Sequence, residues 1–245
     1  MGLVAGGSVT DWPRYGGFLK VLAFDVFGTV VDWYGSIARE VQRLRLPVEP
    51  GQFALNWRAG YQPAMARVRS GELGWVRIDD LHRMILDELL LKHQISMDEE
   101  ARRALNLVWH RLTPWPDTVG GLTRLKTRYT ITTLSNGNIS LLTEMAKRAG
   151  LPWDCILSAE VFRHYKPDPE TYLGVCSVFD IPPQDMMLVA SHKSDLDAAR
   201  ALGCRTAFIE RPDEFGPTGA VDLTREPRFD HHARDLEDLA RQLGC

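Results

Sequence analysis

Asp25 ends an apolar run, Val21-Leu22-Ala23-Phe24, and a Gly28-Thr29 pair follows three residues later. An acid at the tip of a buried strand is either a turn or cap residue, or a nucleophile aimed by a rigid element. Other polar groups follow apolar runs in the same way. Ser135 and Asn136 follow "YTITTL". Lys166 lies in "HYKPD" after "CILSA". Ser191, His192 and Asp195 follow "MMLVA". Each has an ordinary explanation alone: a turn before Gly137, a solvated lysine, a helix cap at Asp195. Together they are a carboxylate, a hydroxyl, an amide, an ammonium and a second carboxylate. Gathered on one edge, they have the parts of a covalent site.

The elements that must position these groups read as an alternating α/β chain. Five short apolar runs predict strands at 20–24, 129–134, 155–159, 186–190 and 205–210. They are β-branched or continuously apolar, as strands covered on both faces are. Helical spacing appears at 139–150, 194–203 and 235–244. Gly150 and Gly203 are expected at C-termini, and Ser194 or Asp195 at an N-cap. Strands alternating with helices predict an open, doubly wound parallel sheet of the Rossmann-like kind. Roughly a hundred residues separate the first two predicted strands, far more than a crossover needs. The stretch from 35 to 112 is helical in pattern and reads as an inserted helical cap domain, with "TPWPD" marking the return to the sheet. The expected organisation is an N-terminal extension over 1–18, a core over 19–34 and 113–245, and a cap over 35–112. The insertion leaves just after Asp25, so the cap should cover the carboxyl ends of the strands, where open α/β sheets bind ligands.

"DVFGT", "LSNG", "YKPD" and "SHKSD", in this order and spacing, resemble the haloacid dehalogenase superfamily across about residues 20–240. The resemblance implies the same fold, a doubly wound core with a helical cap inserted after the first strand. Phosphatases of that superfamily carry a second Asp two residues after the nucleophile, and an acid in the fourth motif that helps hold Mg²⁺. Here the first position is Phe27, and Ala190-Ser191 replace the Gly-Asp of the fourth motif. An alkoxide leaves poorly without a proton, whereas a halide leaves without one. The two departures therefore resemble the L-2-haloacid dehalogenase branch, whose usual residue at the Phe27 position is Tyr.

That resemblance implies hydrolysis of short 2-haloalkanoic acids to 2-hydroxy acids, with no cofactor and no metal. Asp25 would attack the halogen-bearing carbon, and water would then hydrolyse the ester. Lys166 would hold the Asp25 pKa down, Ser135 would help compensate the substrate's charge, and Asp195 would hold or activate the water. For the halide and substrate it implies Arg58 on an early cap helix and the Asn136 amide. Trp75 would add an aromatic wall, and Tyr172 a place at the site edge. His192 stands where the branch usually has Asn, and is expected either to donate a hydrogen bond or to titrate near neutrality. A small-molecule phosphatase and a non-catalytic ligand-binding relative are the alternatives.

Bulk properties fit a small-molecule enzyme. The 245 residues are 44% hydrophobic and 25% charged, with a net charge of −3. That balance gives no case for a nucleic-acid or membrane-surface partner. No apolar run reaches the roughly 18 residues of a membrane span. The N-terminus lacks the pattern of a signal peptide, and Gly6 stands where a myristoylation motif needs Ser or Thr. Cys155, Cys176, Cys204 and Cys245 have no metal-site spacing and read as reduced thiols in a cytoplasm. Family members are often dimers, so the resemblance implies a homodimer.

Overall fold

The computed structural model describes residues 19–217 and 219–245. The expected extension over 1–18 lies outside them. The central sheet holds six parallel strands: β1 (Val21–Phe24), β4 (Thr130–Ser135), β5 (Cys155–Ser158), β6 (Met186–Ala190), β7 (Arg205–Ile209) and β8 (His231–Ala233). Two residue pairs, β2 (Val31–Asp32) and β3 (Thr113–Pro114), form a separate antiparallel ribbon. The sheet order is β5-β4-β1-β6-β7-β8. The chain winds outward in both directions from β1, so the switch point of the sheet lies at the end of that strand.

β1 is short because burial on both faces demands a fully apolar segment, and Val-Leu-Ala-Phe supplies one. Its side chains alternate between two cores. Leu22 and Phe24 join one cluster, and Val21 and Ala23 join the other. The cluster holding Phe24 is continuous with Phe53, Trp57, Tyr61, Met65, Leu81 and Trp109, so one face of the sheet and the inserted helices share a single core. Register sets the level of the site. Phe24 pairs with Thr133 on one side and Val189 on the other, which brings Asp25, Ser135 and Ser191 to the same end of the sheet.

Helices Trp33–Arg43, Pro50–Ala59, Tyr61–Arg69, Ile78–Lys92 and Glu99–Asn106 fill the insertion between β2 and β3. The ribbon joins the outgoing and returning chain. Polar ties that fasten the inserted helices to the sheet side include Arg69 Nε to Asp168 Oδ1 at 2.8 Å, Tyr165 Oη to the Val76 carbonyl at 2.7 Å, and Asn138 Nδ2 to Asp79 Oδ2 at 2.9 Å.

The five expected strands are present within a residue or two, and Gly150 ends its helix in the left-handed conformation at φ 68°. One local expectation is corrected. The helix after β6 begins at Lys193 with His192 at the N-cap, not Ser194 or Asp195, and His192 makes no side-chain capping bond. Its ring is engaged elsewhere. Gly203 closes that helix as expected, at φ 87° directly after the C-cap Leu202. The His231-His232 pair lies on β8, where the two rings diverge to Gln242 and Glu210.

Candidate active site

The Asp25 carboxylate is a nearly sealed acid, 7% exposed, and its two oxygens have different neighbours. Oδ1 accepts a hydrogen bond from Lys166 Nζ at 2.9 Å. Oδ2 accepts one from the Thr29 hydroxyl at 2.7 Å and lies 3.2 Å from His192 Nδ1. Thr29 reaches back because Gly28 turns the chain at φ 89°, a conformation suited to glycine. The Ser191 N–H donates to Thr29 Oγ1 at 2.9 Å, which orients the threonine proton toward Asp25. Burial pushes the Asp25 pKa up, but the Lys166 charge and the His192 ring overcome it and hold the group well below the usual carboxylate range. The nucleophile is thus kept ionised.

Lys166 is itself buried at 8% exposure and bridges two carboxylates. Its ammonium meets Asp25 on one side and Asp195 Oδ2 on the other. Burial alone would lower its pKa, but Asp195 and Asp25 together raise it. The Lys166 backbone N–H donates to Asn136 Oδ1 at 2.8 Å, which ties this loop to the end of β4. The other Asp195 oxygen accepts the Tyr172 hydroxyl at 2.6 Å, and Tyr172 is fully buried under the sheet. Burial, and then Asp195 itself, push the tyrosine pKa up, so it serves as a fixed donor.

His192 is pinned from both sides. Besides Asp25, its Nε2 lies 2.8 Å from Glu214 Oε1. A ring with a carboxylate on each nitrogen is an imidazolium. Burial disfavours that charge, but Glu214 and Asp25 push the pKa up to about 10. Glu214 is 1% exposed and also receives the Trp33 indole N–H at 3.2 Å and the Ser191 hydroxyl at 3.4 Å.

Phe27 forms the apolar side. Its ring packs edge-on to Tyr61 and Trp109, with His82 beside them, and it is 2% exposed. No proton donor occupies its place. Tyr61 stands among Arg58, Lys166 and Asp25, and burial raises its pKa to about 12. The Arg58 guanidinium stacks on Tyr61 at 4.2 Å and faces Trp33 at 5.7 Å. Among the described residues Arg58 forms no ion pair. An unpaired cation in an aromatic frame suits an incoming anion.

The structure therefore brings together Asp25, Lys166, Asp195 and His192, with Phe27 and Arg58 on the cap side. Four sequence assignments need adjustment. The Ser135 hydroxyl is fully buried and accepts the Gly137 N–H at 3.0 Å, so it shapes the turn after β4. The Asn136 amide accepts the Lys166 N–H through Oδ1 and donates through Nδ2 to Met65 Sδ at 3.3 Å. Trp75 stacks on Tyr165 at 4.9 Å, over the loop that carries Lys166, and the wall beside Phe27 is Tyr61, Trp109 and His82 instead. Tyr172 anchors Asp195 rather than standing at the site edge. The functional group that sequence reading missed is Glu214, in the loop after β7. An acid in "RPDEFGP" carries no motif, and only the close approach of that loop to Gly28 gives it meaning.

Comparison with known proteins agrees with this architecture. The family model described as haloacid dehalogenase-like hydrolase matches residues 19–203. The chain is similar to the solved structure of an L-2-haloacid dehalogenase, at 48% identity and a TM-score of 0.88, covering 92% of this chain and 99% of that one. It is similar as well to a defluorinating L-2-haloacid dehalogenase, at 46% identity and a TM-score of 0.89, covering 93% and 96%. Among curated proteins, (S)-2-haloacid dehalogenase 4A of Burkholderia cepacia is 28% identical over 212 residues, 80% of this chain and 87% of that protein. The chain belongs to the haloacid dehalogenase-like hydrolase family.

Proposed function

We propose that this protein hydrolyses short 2-haloalkanoic acids, haloacetates and L-2-halopropionates, to 2-hydroxy acids. The observation that carries the reading is a carboxylate nucleophile, Asp25, ionised by a buried ammonium and faced by an apolar ring at Phe27 where an alkoxide-releasing enzyme would need an acid. Similarity to L-2-haloacid dehalogenases at 48% and 46% identity supports it.

In this reading Asp25 attacks the halogen-bearing carbon in line, the carbon–halogen pair leaves as halide, and an ester forms. Arg58 receives the anionic end of the substrate or the departing halide, within the wall of Phe27, Tyr61 and Trp109. Water then adds to the ester carbonyl. Asp195, fixed by Tyr172 and Lys166, holds that water and takes its first proton. The product leaves with inverted configuration. Ser135 and Asn136 act by shaping the loop under the substrate, Tyr172 by fixing Asp195, and Trp75 by covering the Lys166 loop.

The residues do not fit a divalent cation. Lys166 and His192 already neutralise Asp25, Lys166 and Tyr172 occupy Asp195, and Ser191 stands where a ligand acid would be. We read residues 35–112 as the cap that seals the site and 19–34 with 113–245 as the core. A cytoplasmic location suits the four free cysteines. A homodimer follows from the family resemblance and is tested by light scattering.

A panel of fluoro-, chloro- and bromoacetate with both 2-chloropropionates, run without added metal, tests the reading. Release of halide is expected, and its loss in Asp25→Asn. Magnesium-dependent phosphate release from aryl phosphates, with no halide from any haloacid, would favour the phosphatase alternative.

A further inference from the structure

The two oxygens of Asp25 are not equivalent, and the difference assigns their roles. Oδ2 accepts the Thr29 hydroxyl and has the His192 ring nitrogen 3.2 Å away as an ion-pair partner. Oδ1 holds only Lys166 among the described residues. The less crowded oxygen attacks. Oδ1 therefore becomes the ester oxygen, and Oδ2 remains as the ester carbonyl. When water adds, the negative charge of the tetrahedral intermediate develops on Oδ2, where Thr29 and His192 wait.

We propose that Thr29 and His192 form the oxyanion hole of the hydrolytic half-reaction, and that Glu214 is the positioning residue that keeps His192 charged and aimed for it. This rests on the dehalogenase reading and assigns a step to groups that the reading leaves idle.

Three features support a built device. First, the Thr29 hydroxyl at 2.7 Å and the His192 ring nitrogen at 3.2 Å converge on one atom, and the hydroxyl proton is directed there by the Ser191 N–H. Second, His192 occupies a helix N-cap, where the helix dipole disfavours a cation. Once Asp25 is esterified its charge is gone, so the remaining counter-charge on the ring is Glu214. Asp195, one turn along the same helix, is committed to Lys166 and Tyr172, and Lys193 pairs with Asp222 and Glu226. Third, Glu214 is sealed and held by Trp33 and Ser191, and space for it exists because residue 28 is glycine.

The balance closes as follows. Water oxygen bonds to the Asp25 carboxyl carbon, and the carbonyl pair moves onto Oδ2. The pair returns, and the bond from that carbon to Oδ1 breaks. The product carries Oδ1 as its hydroxyl, and Asp25 keeps the water oxygen. Of the two water protons, one goes to the departing alkoxide through Asp195 at the Lys166 end, and the other leaves to solvent.

The test is rapid-quench halide release with intact-protein mass spectrometry on wild-type, Glu214→Gln and His192→Gln protein, using a haloacetate that the wild type turns over. The expected result is a retained burst of about one halide per site, steady turnover slowed roughly 10²-fold, and an ester adduct that accumulates in both variants. Glu214→Gln should also move the basic limb of steady turnover toward neutrality, while Glu214→Asp restores part of the rate. Burst and turnover falling together with no adduct would overturn the inference, as would unchanged turnover. No halide from the wild type would overturn the dehalogenase reading, and the inference with it.

Discussion

Lys166 Nζ stands 2.9 Å from Asp25 Oδ1, and both side chains are sealed to within about a tenth of full exposure. The ammonium is a structural requirement as well as an electrostatic one. Without it, Asp25 and Asp195 would face each other as two buried like charges, and one of them would protonate. Replacing Lys166 with Met should raise the Asp25 pKa and cut the halide burst by roughly 10²–10³-fold. Folding stability should fall by about 3–5 kcal/mol, the cost of breaking a buried pair from one side. Burst kinetics and chemical denaturation check the two effects separately.

The pH dependence follows from two opposite shifts. Asp25 has a depressed folded pKa, so its contribution to stability is present above the unfolded carboxylate value and is lost only as pH falls toward its low folded value. His192 has a raised folded pKa. Its contribution is complete below the ordinary value of 6.5 and is lost as pH rises to about 10. Thermal melts should be highest near pH 5–6 and decline steadily up to about pH 10. In His192→Gln the decline over that range should flatten.

Gly28 and Glu214 are coupled across 186 positions of sequence. A methyl group at residue 28 would overlap the Glu214 carboxylate, and the φ of 89° is strained for any other residue. Gly28→Ala should lose at least about 1–2 kcal/mol from backbone strain. It should also slow ester hydrolysis in the manner of Glu214→Gln. Adduct accumulation in both variants, measured by intact mass, separates this from simple unfolding.

Arg58 offers a guanidinium in an aromatic frame, with no ion-pair partner among the described residues. Arg58→Ala should reduce kcat/KM for chloroacetate by about 10–100-fold, as expected for one charge-assisted contact. Arg58→Lys should recover little, because an ammonium does not stack on Tyr61 as a planar guanidinium does. Asp25 should remain ionised in both, which pH profiles of the burst will show.

Much of this site was readable in the chain because strand ends are where a doubly wound sheet gathers its chemistry. Asp25, Lys166 and Asp195 each follow an apolar run, and the runs align in register. Phe27 pointed to the leaving group through the acid it replaces. What the chain did not reveal depends on contacts at long range. Glu214 sits in a Pro- and Gly-containing loop with no spacing rule, and its role arises only from its approach to Gly28 and His192. β8 is three residues long and contains two histidines, too short for a periodic signal. Ser135 and Asn136 were found by position, but not their local partners: Ser135 Oγ accepts the Gly137 N–H of the turn, and Asn136 Oδ1 accepts the Lys166 N–H. The N-cap at His192 was hidden because Ser194 and Asp195 are better cap residues by type, while the ring at 192 is committed to two carboxylates.

The central claim is that Asp25 carries the substrate covalently and gives up its own oxygen to the product. The direct measurement is multiple turnover of L-2-chloropropionate in ¹⁸O-water, followed by mass analysis of the peptide containing Asp25. The account predicts ¹⁸O in the Asp25 carboxylate, and unlabelled product hydroxyl in the first turnover. Label entering the product in that first turnover, with Asp25 unlabelled throughout, would mean that water attacks the substrate directly and would contradict it.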